Sequence, residues 1–410
     1  MRKRMTVAAV AVLMAVAMCF SLTSCVGVAA AELSAGYSRT ATEQGSESDE
    51  LYRALAEFSF RLFGETFDKD GGNSLISAYS VAMCLGMFTE GAAGNTRAEL
   101  EALLGMDSDA LARGLYAMNS RICGKDTPLS IADSVWVREG FPVNADFLQR
   151  NADWYGADVF AAPFDSATVK DINSWCGKNT DGMIKNIIDS IPADAVTYLI
   201  NAVCFDAEWD EKYEKNNIRD DSFRNRDGSM SAVKMLRSKG ESFLSSDSFR
   251  GFAKKYKGGK FSFVGLLPKD ENADIFEAAG QLDGSAWLDM WNSRTGGADA
   301  GVPEFSFEYS VRLEYALKAL GAGDMFDAGK ADLSRLSATP TFCSSVGHKT
   351  FIELDRHGTR AAAITWGETD ATAAMPVEDR TVILDRPFIC MIVDSESGIP
   401  LFLGVVSHLG

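Results

Sequence analysis

The chain has 410 residues, 46% hydrophobic and 24% charged, the balance of a globular protein with a real core rather than of a disordered or fibrous one. Its formal net charge of −17 lacks the basic footprint that phosphate backbones need, so nucleic acid is not expected as a partner. The length admits one large domain or two average ones.

In chain order, Arg2, Lys3 and Arg4 precede an almost unbroken apolar run from Met5 to Phe20, followed by Leu22-Thr23-Ser24-Cys25. That is the layout of a targeting segment and is set aside from fold reasoning. Its end resembles the bacterial lipobox, in which a lipid is carried on the Cys thiol and cleavage falls just before it. On that reading residues 1–24 are a signal peptide and Cys25 is the lipid attachment. Ordinary cleavage after Ala29-Ala30-Ala31 and a retained anchor are the other readings, although the run is short for a membrane span. Residues 25–48 are rich in Ala, Ser, Gly, Thr and Glu without a hydrophobic period, and read as a flexible tether.

The folded body is expected over residues 49–410 as one domain, because no Pro-rich linker, repeat or low-complexity break interrupts it. It opens with Leu51, Leu55, Phe58 and Leu62 on one helical face. Helical periods follow at Val81–Glu90, Thr96–Leu104, Asn144–Trp154, Val169–Asn179 and Val311–Leu320. Strand signals fall at Ser130–Val137, Tyr198–Phe205, Phe261–Leu267, Thr381–Leu384, Pro387–Val393 and Leu401–Val406, the last two reading as a buried hairpin. Helices crowd the first half and strands the second, which predicts an α+β fold rather than alternating βαβ units.

Between these strands, Gly358 to Thr372 carries an unusual pattern. Thr359, Ala361, Ala363, Thr365, Gly367, Thr369 and Ala371 are all small and uncharged. Arg360, Ala362, Ile364, Trp366, Glu368, Asp370 and Thr372 hold every charge and both bulky side chains. Alternate residues of a strand face opposite sides, so this segment can enter a tight sheet without burying a charge. Gly, Thr and Ala nevertheless make a poor permanent strand. A plain surface loop also favours these residues, but has no reason to sort them by parity.

Catalytic chemistry finds little support. His348, beside Lys349 at the start of an apolar strand, suits a core or hydrogen-bonding role; His357 lies in a turn, and His408 near the C-terminus reads as solvated. No G-x-S-x-G elbow, phosphate loop or H-E-x-x-H occurs. The body cysteines, Cys84, Cys123, Cys176, Cys204, Cys343 and Cys390, show no C-x-x-C pair or metal-ligand spacing. Cys84, Cys204 and Cys390 sit in apolar runs and read as buried thiols, although disulfides of unassigned pairing remain open. No catalytic residue, metal or cofactor is expected.

Several fragments, in order and correctly spaced from Leu51 to Gly410, resemble the serpin family of serine-protease inhibitors. They include Asn73-Ser-Leu-Ile-Ser77-Ala-Tyr-Ser80, Asn201-Ala-Val-Cys-Phe-Asp-Ala-Glu-Trp209, Lys234-Met235, Tyr256-Lys-Gly-Gly-Lys-Phe261, Leu266-Leu-Pro268 and Pro303-x-Phe305. Leu320-Gly321 with Met325-Phe326, His348 ten positions before Gly358, and the ending Arg386-Pro387-Phe388 with Leu401-Phe-Leu-Gly404 complete the match.

The resemblance implies three β-sheets, about nine helices and an exposed reactive loop that a protease attacks as substrate. The cleaved loop then enters the largest sheet as a new strand while the protease is still held as an acyl-enzyme. It implies a hinge at Gly358, Thr359, Arg360, Ala361, Ala362 and Ala363, and a shutter and breach at Ser77, Ser80, Asn201, Trp209 and His348. Departures are Arg356-His357 and Arg360 where the family commonly has acidic residues, Ala78 for a usual Pro, and Asp206 for a usual basic residue. Counting from Gly358 places the reactive bond at Thr372-Ala373, and counting back from Pro387 lands near Pro376. The bond is therefore expected within Thr372, Ala373, Ala374 and Met375. Small residues there predict an elastase-like or subtilisin-like target rather than a trypsin-like one. The expected partner is a serine protease, with membrane contact only through a lipid and the chain a monomer. A non-inhibitory binding module on the cell surface is the alternative.

Overall fold

Local chemistry sets where the first helices begin. In the computed structural model, which describes residues 30–67, 71–124, 127–193, 195–359 and 380–410, helix α1 (Asp49–Glu65) starts at Ser48, whose hydroxyl accepts the Leu51 N–H at 3.1 Å. Asp49 and Glu50 occupy its first turn, where the helix dipole favours negative charge. Leu51, Leu55, Phe58 and Leu62 are buried, as the spacing predicts. Helix α2 (Ala78–Thr89) is buried on every side and is capped by Ser77. The cap is why it starts three residues earlier than its hydrophobic period alone indicates.

Among the described residues there are nine α-helices. The others are α3 (Gly94–Leu104), α4 (Ser108–Ile122), α5 (Ala145–Trp154), α6 (Ser166–Asn179), α7 (Ile275–Gly280), α8 (Gly284–Asn292) and α9 (Glu314–Ala319). The helical period read over Val311–Leu320 divides. Val311 and Arg312 end a strand whose inward residues Phe305, Phe307, Tyr309 and Val311 alternate with polar ones, and only Glu314–Ala319 is helical.

The strands form two sheets among the described residues. One has eight strands, in the order β1 (Ala31–Glu32), β4 (Asp158–Ala162), β3 (Leu129–Arg138), β5 (Thr197–Phe205), β13 (Ser345–Leu354), β14 (Gly358–Thr359) and β6 (Ala207–Glu208), with β12 (Phe305–Arg312) also on β13. The other has nine: β15 (Thr381–Ile383), β11 (Thr295–Pro303), β8 (Met230–Ser245), β9 (Phe249–Lys255), β10 (Phe261–Pro268), β16 (Phe388–Asp394), β17 (Pro400–Val406) and β2 (Ser74–Ile76), with β7 (Ile218–Arg224) on β8. Where three sheets are expected, the long strand β8 joins two of them. Its first half pairs with β7 and its last four residues with β9.

The main core packs α1, α2 and the nine-stranded sheet against one face of the eight-stranded sheet. A smaller core, with Trp136, Phe160, Trp175 and Tyr198, lies under α6 on the opposite face. Strand β3 serves both by parity: Leu129, Val135 and Val137 face the main core and Trp136 the smaller one. All six body cysteines are free thiols and five are buried.

From Ala30 onward the segment read as a tether lies against the body. Ala31 and Glu32 pair with Ala161 and Phe160 at the edge of the eight-stranded sheet. Arg39 lies 3.8 Å from the Tyr116 ring centroid and 4.9 Å from that of Trp154. Its polar composition hides this attachment, in which Leu33, Tyr37 and Ala41 pack on the core beside hydrogen bonds and one stacked guanidinium. No described helix is long and apolar enough to cross a membrane.

Candidate functional site: the gap between β5 and β13

Strands β5 and β13 are parallel neighbours, paired in register only from Tyr198 with Ser345 to Ala202 with Lys349. Beyond that point they separate. Val203 to Phe205 keep their partners on β3, and Thr350 to Leu354 keep theirs on β12. Strand β14 fills the widening end: Thr359 pairs antiparallel with Leu354 on one side and with Ala207 on the other. The start of the small-residue segment is therefore already a two-residue strand inside the sheet.

Thr359 is buried, and its hydroxyl lies 2.6 Å from that of Tyr256. The inward face is thus the one predicted from parity. At Gly358, expected as a hinge, glycine is needed for a different reason from the one its type suggests. Its φ is not left-handed; rather, a Cβ there would run into the Ala207 carbonyl oxygen and the backbone of Glu208. Close approach of a neighbouring strand, not an unusual turn, requires glycine.

The turn before β14 is tightly held. The Asp355 carboxylate accepts the N–H groups of His357 at 2.7 Å and Gly358 at 3.1 Å. Trp209 donates its indole N–H to the Asp355 carbonyl at 2.9 Å and stacks on Tyr256 with ring centroids 4.6 Å apart. Arg356, one of the departures from the acidic hinge pattern, pairs with Glu304 at 3.0 Å. Its charge is answered locally and does not face the gap.

Where β5 and β13 still touch, the expected shutter residues meet. The Ser77 backbone N–H donates to His348 Nε2 at 2.9 Å, which leaves the proton on Nδ1 to be donated to Asn201 Oδ1 at 3.0 Å. Ser80 Oγ lies 2.7 Å from the same Asn201 oxygen. Burial pulls the His348 imidazole down to about 4, so it is neutral at ordinary pH. With both ring nitrogens engaged in a buried network, His348 is a structural link and not a catalytic base. His408 is half-exposed, with its backbone N–H on Asn73 Oδ1 at 3.0 Å.

Two contributors had only faint traces in the sequence. Tyr256, which meets Thr359 across 103 residues of chain, has no local signal of that contact. Asp133 on β3 accepts a hydrogen bond from Asn201 Nδ2 at 2.7 Å and extends the shutter row by one strand. Its trace was parity: it stands where Leu129, Ile131, Val135 and Val137 mark the inward positions.

The far end of the loop is also anchored. Arg380 donates to the Gly296 carbonyl at 2.6 Å, and Thr381–Ile383 pair with Asp299 to Gly301. The expected hinge residues Arg360, Ala361, Ala362 and Ala363, the bond region Thr372, Ala373, Ala374 and Met375, and Cys25 lie outside the described residues.

A short strand lodged beside a half-open parallel pair in one sheet, on a chain that next appears as β15 in the other, is the arrangement of the serine-protease inhibitors. A family model described as Serpin (serine protease inhibitor) matches residues 53–409. The chain belongs to the serpin family. A leukocyte elastase inhibitor from Equus caballus is 31% identical over 375 residues, covering 87% of this chain and 98% of that protein. Neuroserpin from Homo sapiens is 30% identical over 379 residues, covering 87% and 91% respectively. The crystal structure of tengpin, a thermophilic serpin, in its native state shares 36% identity and a TM-score of 0.87 over 93% of this chain and all of that one. Its latent state gives a TM-score of 0.79 over 90% of this chain and all of that one.

Proposed function

We propose that this protein inhibits an elastase-like or subtilisin-like serine protease as a suicide substrate, inserting its cleaved loop into the eight-stranded sheet. The observation that carries the reading is strand β14, because it supplies both a starting point and a register. Continuing its antiparallel pairing along β13 sets residue 365 opposite His348. Continuing the pairing along β6 and β5 sets residue 365 opposite Asn201. Two independent registers agree on Thr365, which has the same inward parity as Thr359. Its hydroxyl is suited to replace the Asn201–His348 hydrogen bond that insertion must break, since a hydroxyl both donates and accepts.

In this register residues 361–368 would gain strand partners on both sides, and every inward residue among them is small and neutral. A buried unpaired charge there would cost several kcal/mol and slow insertion, giving the acyl-enzyme time to hydrolyse. Cleavage within Thr372–Met375 leaves this whole stretch free to enter. The elastase-type preference rests on the small residues at the bond and accords with the names of the relatives. The leader supports export, with a lipid on Cys25 as the anchor and a monomeric inhibitor displayed at the surface.

Incubation with a panel of elastases and subtilisins tests the proposal. The expected result is an SDS-resistant complex and a released C-terminal peptide whose mass places the cut within Thr372–Met375. Complete cleavage with no covalent complex would instead assign the fold to a binding module whose loop is merely a substrate.

A further inference from the structure

Asp133 lies in the row that must part for insertion, yet its carboxylate has little to hold it there. It is buried at 6% exposure. One oxygen accepts from Asn201, and among the described residues no cation pairs with the other. The ionisable groups around it come from three other elements: the Cys84 thiol on α2, the Cys123 thiol just past α4, and the His348 imidazole on β13. Both thiols are pushed up by burial, with the Asp133 charge adding to the effect. Lys260, which also acts on Cys123, is bound to the Arg121 carbonyl at 2.7 Å. His348 is neutral and spends its Nδ1 proton on Asn201. Among the described residues, no cation neutralises an ionised Asp133.

We propose that Asp133 is a positioning residue for loop insertion, its ionised carboxylate straining the closed β5–β13 pair and speeding the opening of the sheet. The inference rests on the insertion reading above. Asn201 links the two processes, since it holds Asp133 through Nδ2 and His348 through Oδ1. When β13 moves away from β5, the row loses its cover and water reaches the carboxylate. A desolvated charge regains hydration, whereas a protonated carboxyl gains little. Ionisation therefore favours the open form.

The sign follows from linkage. Burial raises the Asp133 carboxyl to about 7 in the closed form, while an opened, hydrated carboxyl lies in the usual range near 4. The closed form is most stable below both values, loses stability as pH rises from about 4 to about 7, and is level above that, where both forms are ionised. His348, at about 4, does not change charge in that window.

Uptake of a synthetic Thr359–Ala371 peptide by the intact protein isolates insertion from the pH dependence of any protease. Between pH 5.5 and 8.5 the uptake rate of the wild type should rise on the order of tenfold, with its midpoint near 7. Asp133→Asn keeps the hydrogen bond from Asn201 and removes the charge, so its rate should stay flat at the slow, low-pH value. The melting temperature of the uncleaved wild type should fall from pH 5.5 to about 7 and level above it, a measurement that needs no variant. A pH rise retained in Asp133→Asn, or a melting temperature that is already level from pH 5.5 to 7, would overturn the role of Asp133 and leave insertion standing. Peptide uptake by neither protein at any pH would overturn the insertion reading itself, and this inference with it.

Discussion

Thr359 shows how one side chain sets the state of the loop. Its hydroxyl meets Tyr256, its backbone joins two strands, and Gly358 before it is pressed against Ala207 with no room for a side chain. An arginine at 359 would bury its guanidinium in that slot beside the Tyr256 hydroxyl, and the desolvated charge would cost several kcal/mol. The two-residue strand can instead leave the gap while the body of the protein keeps its core. Thr359→Arg is therefore expected to melt within a few degrees of the wild type yet to be cleaved as a substrate, with the covalent complex reduced at least tenfold. Densitometry of complex against cleaved product under denaturing electrophoresis decides it, and an unchanged ratio would refute the argument. The same logic explains why Arg356 is harmless in the turn, where Glu304 answers it. Parity, not charge alone, decides which arginine obstructs insertion.

At the scale of elements, the N-terminal arm ties the edge of the eight-stranded sheet to α4 and α5. It adds strand β1 to the sheet edge, places Arg39 against Tyr116 of α4 and Trp154 of α5, and gives the N–H groups of Thr40 and Ala41 to the Asp153 carboxylate at 2.6 and 3.0 Å. Further on, Glu47 pairs with Arg121, which also holds the buried Asp394 of β16. Removing residues 30–47 takes away several hydrogen bonds at about 1 kcal/mol each and one stacked guanidinium at about 1 kcal/mol. The truncated protein is expected to melt at least about 5 °C lower, and an unchanged scanning-calorimetry trace would show the arm to be idle. The arm's attachment was not legible in the sequence, because no hydrophobic period marks it. Helices α1 and α2 were legible from their helical period, although the Ser77 cap starts α2 three residues before that period. Strand β7 was not: only Phe223 of its seven residues is buried, so it shows no alternation. Strand β11, Gly- and Ala-rich, carries no propensity signal and is held as a strand by β8 and β15. In the site, parity assigns Thr359 to the buried side, where it lies, whereas its contact with Tyr256 depends on chain brought from 103 residues away.

Over the whole molecule, the ladder between β5 and β13 runs for five residue pairs and stops at Ala202 and Lys349, with the Asn201–His348 hydrogen bond across it. Strand β14 pairs at the widening end beyond it. An inserted strand would be antiparallel to both neighbours, exchanging one short, slanted ladder for two long ones. With about ten net hydrogen bonds gained at about 1 kcal/mol each, the cleaved form should be more stable by about 10 kcal/mol. For a body of this size, with an unfolding entropy of about 2.1 cal/mol/K per residue, that raises the melting temperature by more than about 10 °C. The cut itself should be made between Thr372 and Met375 by a protease that the protein does not trap, so that every molecule is nicked and none is complexed. Calorimetry before and after cleavage then reads insertion directly. The intact chain should unfold first and the nicked chain well above it, because the energy that drives the trap is the difference between those two transitions. Coincident transitions would mean that the gap stays as it is and that the loop, once cut, has no strand to become.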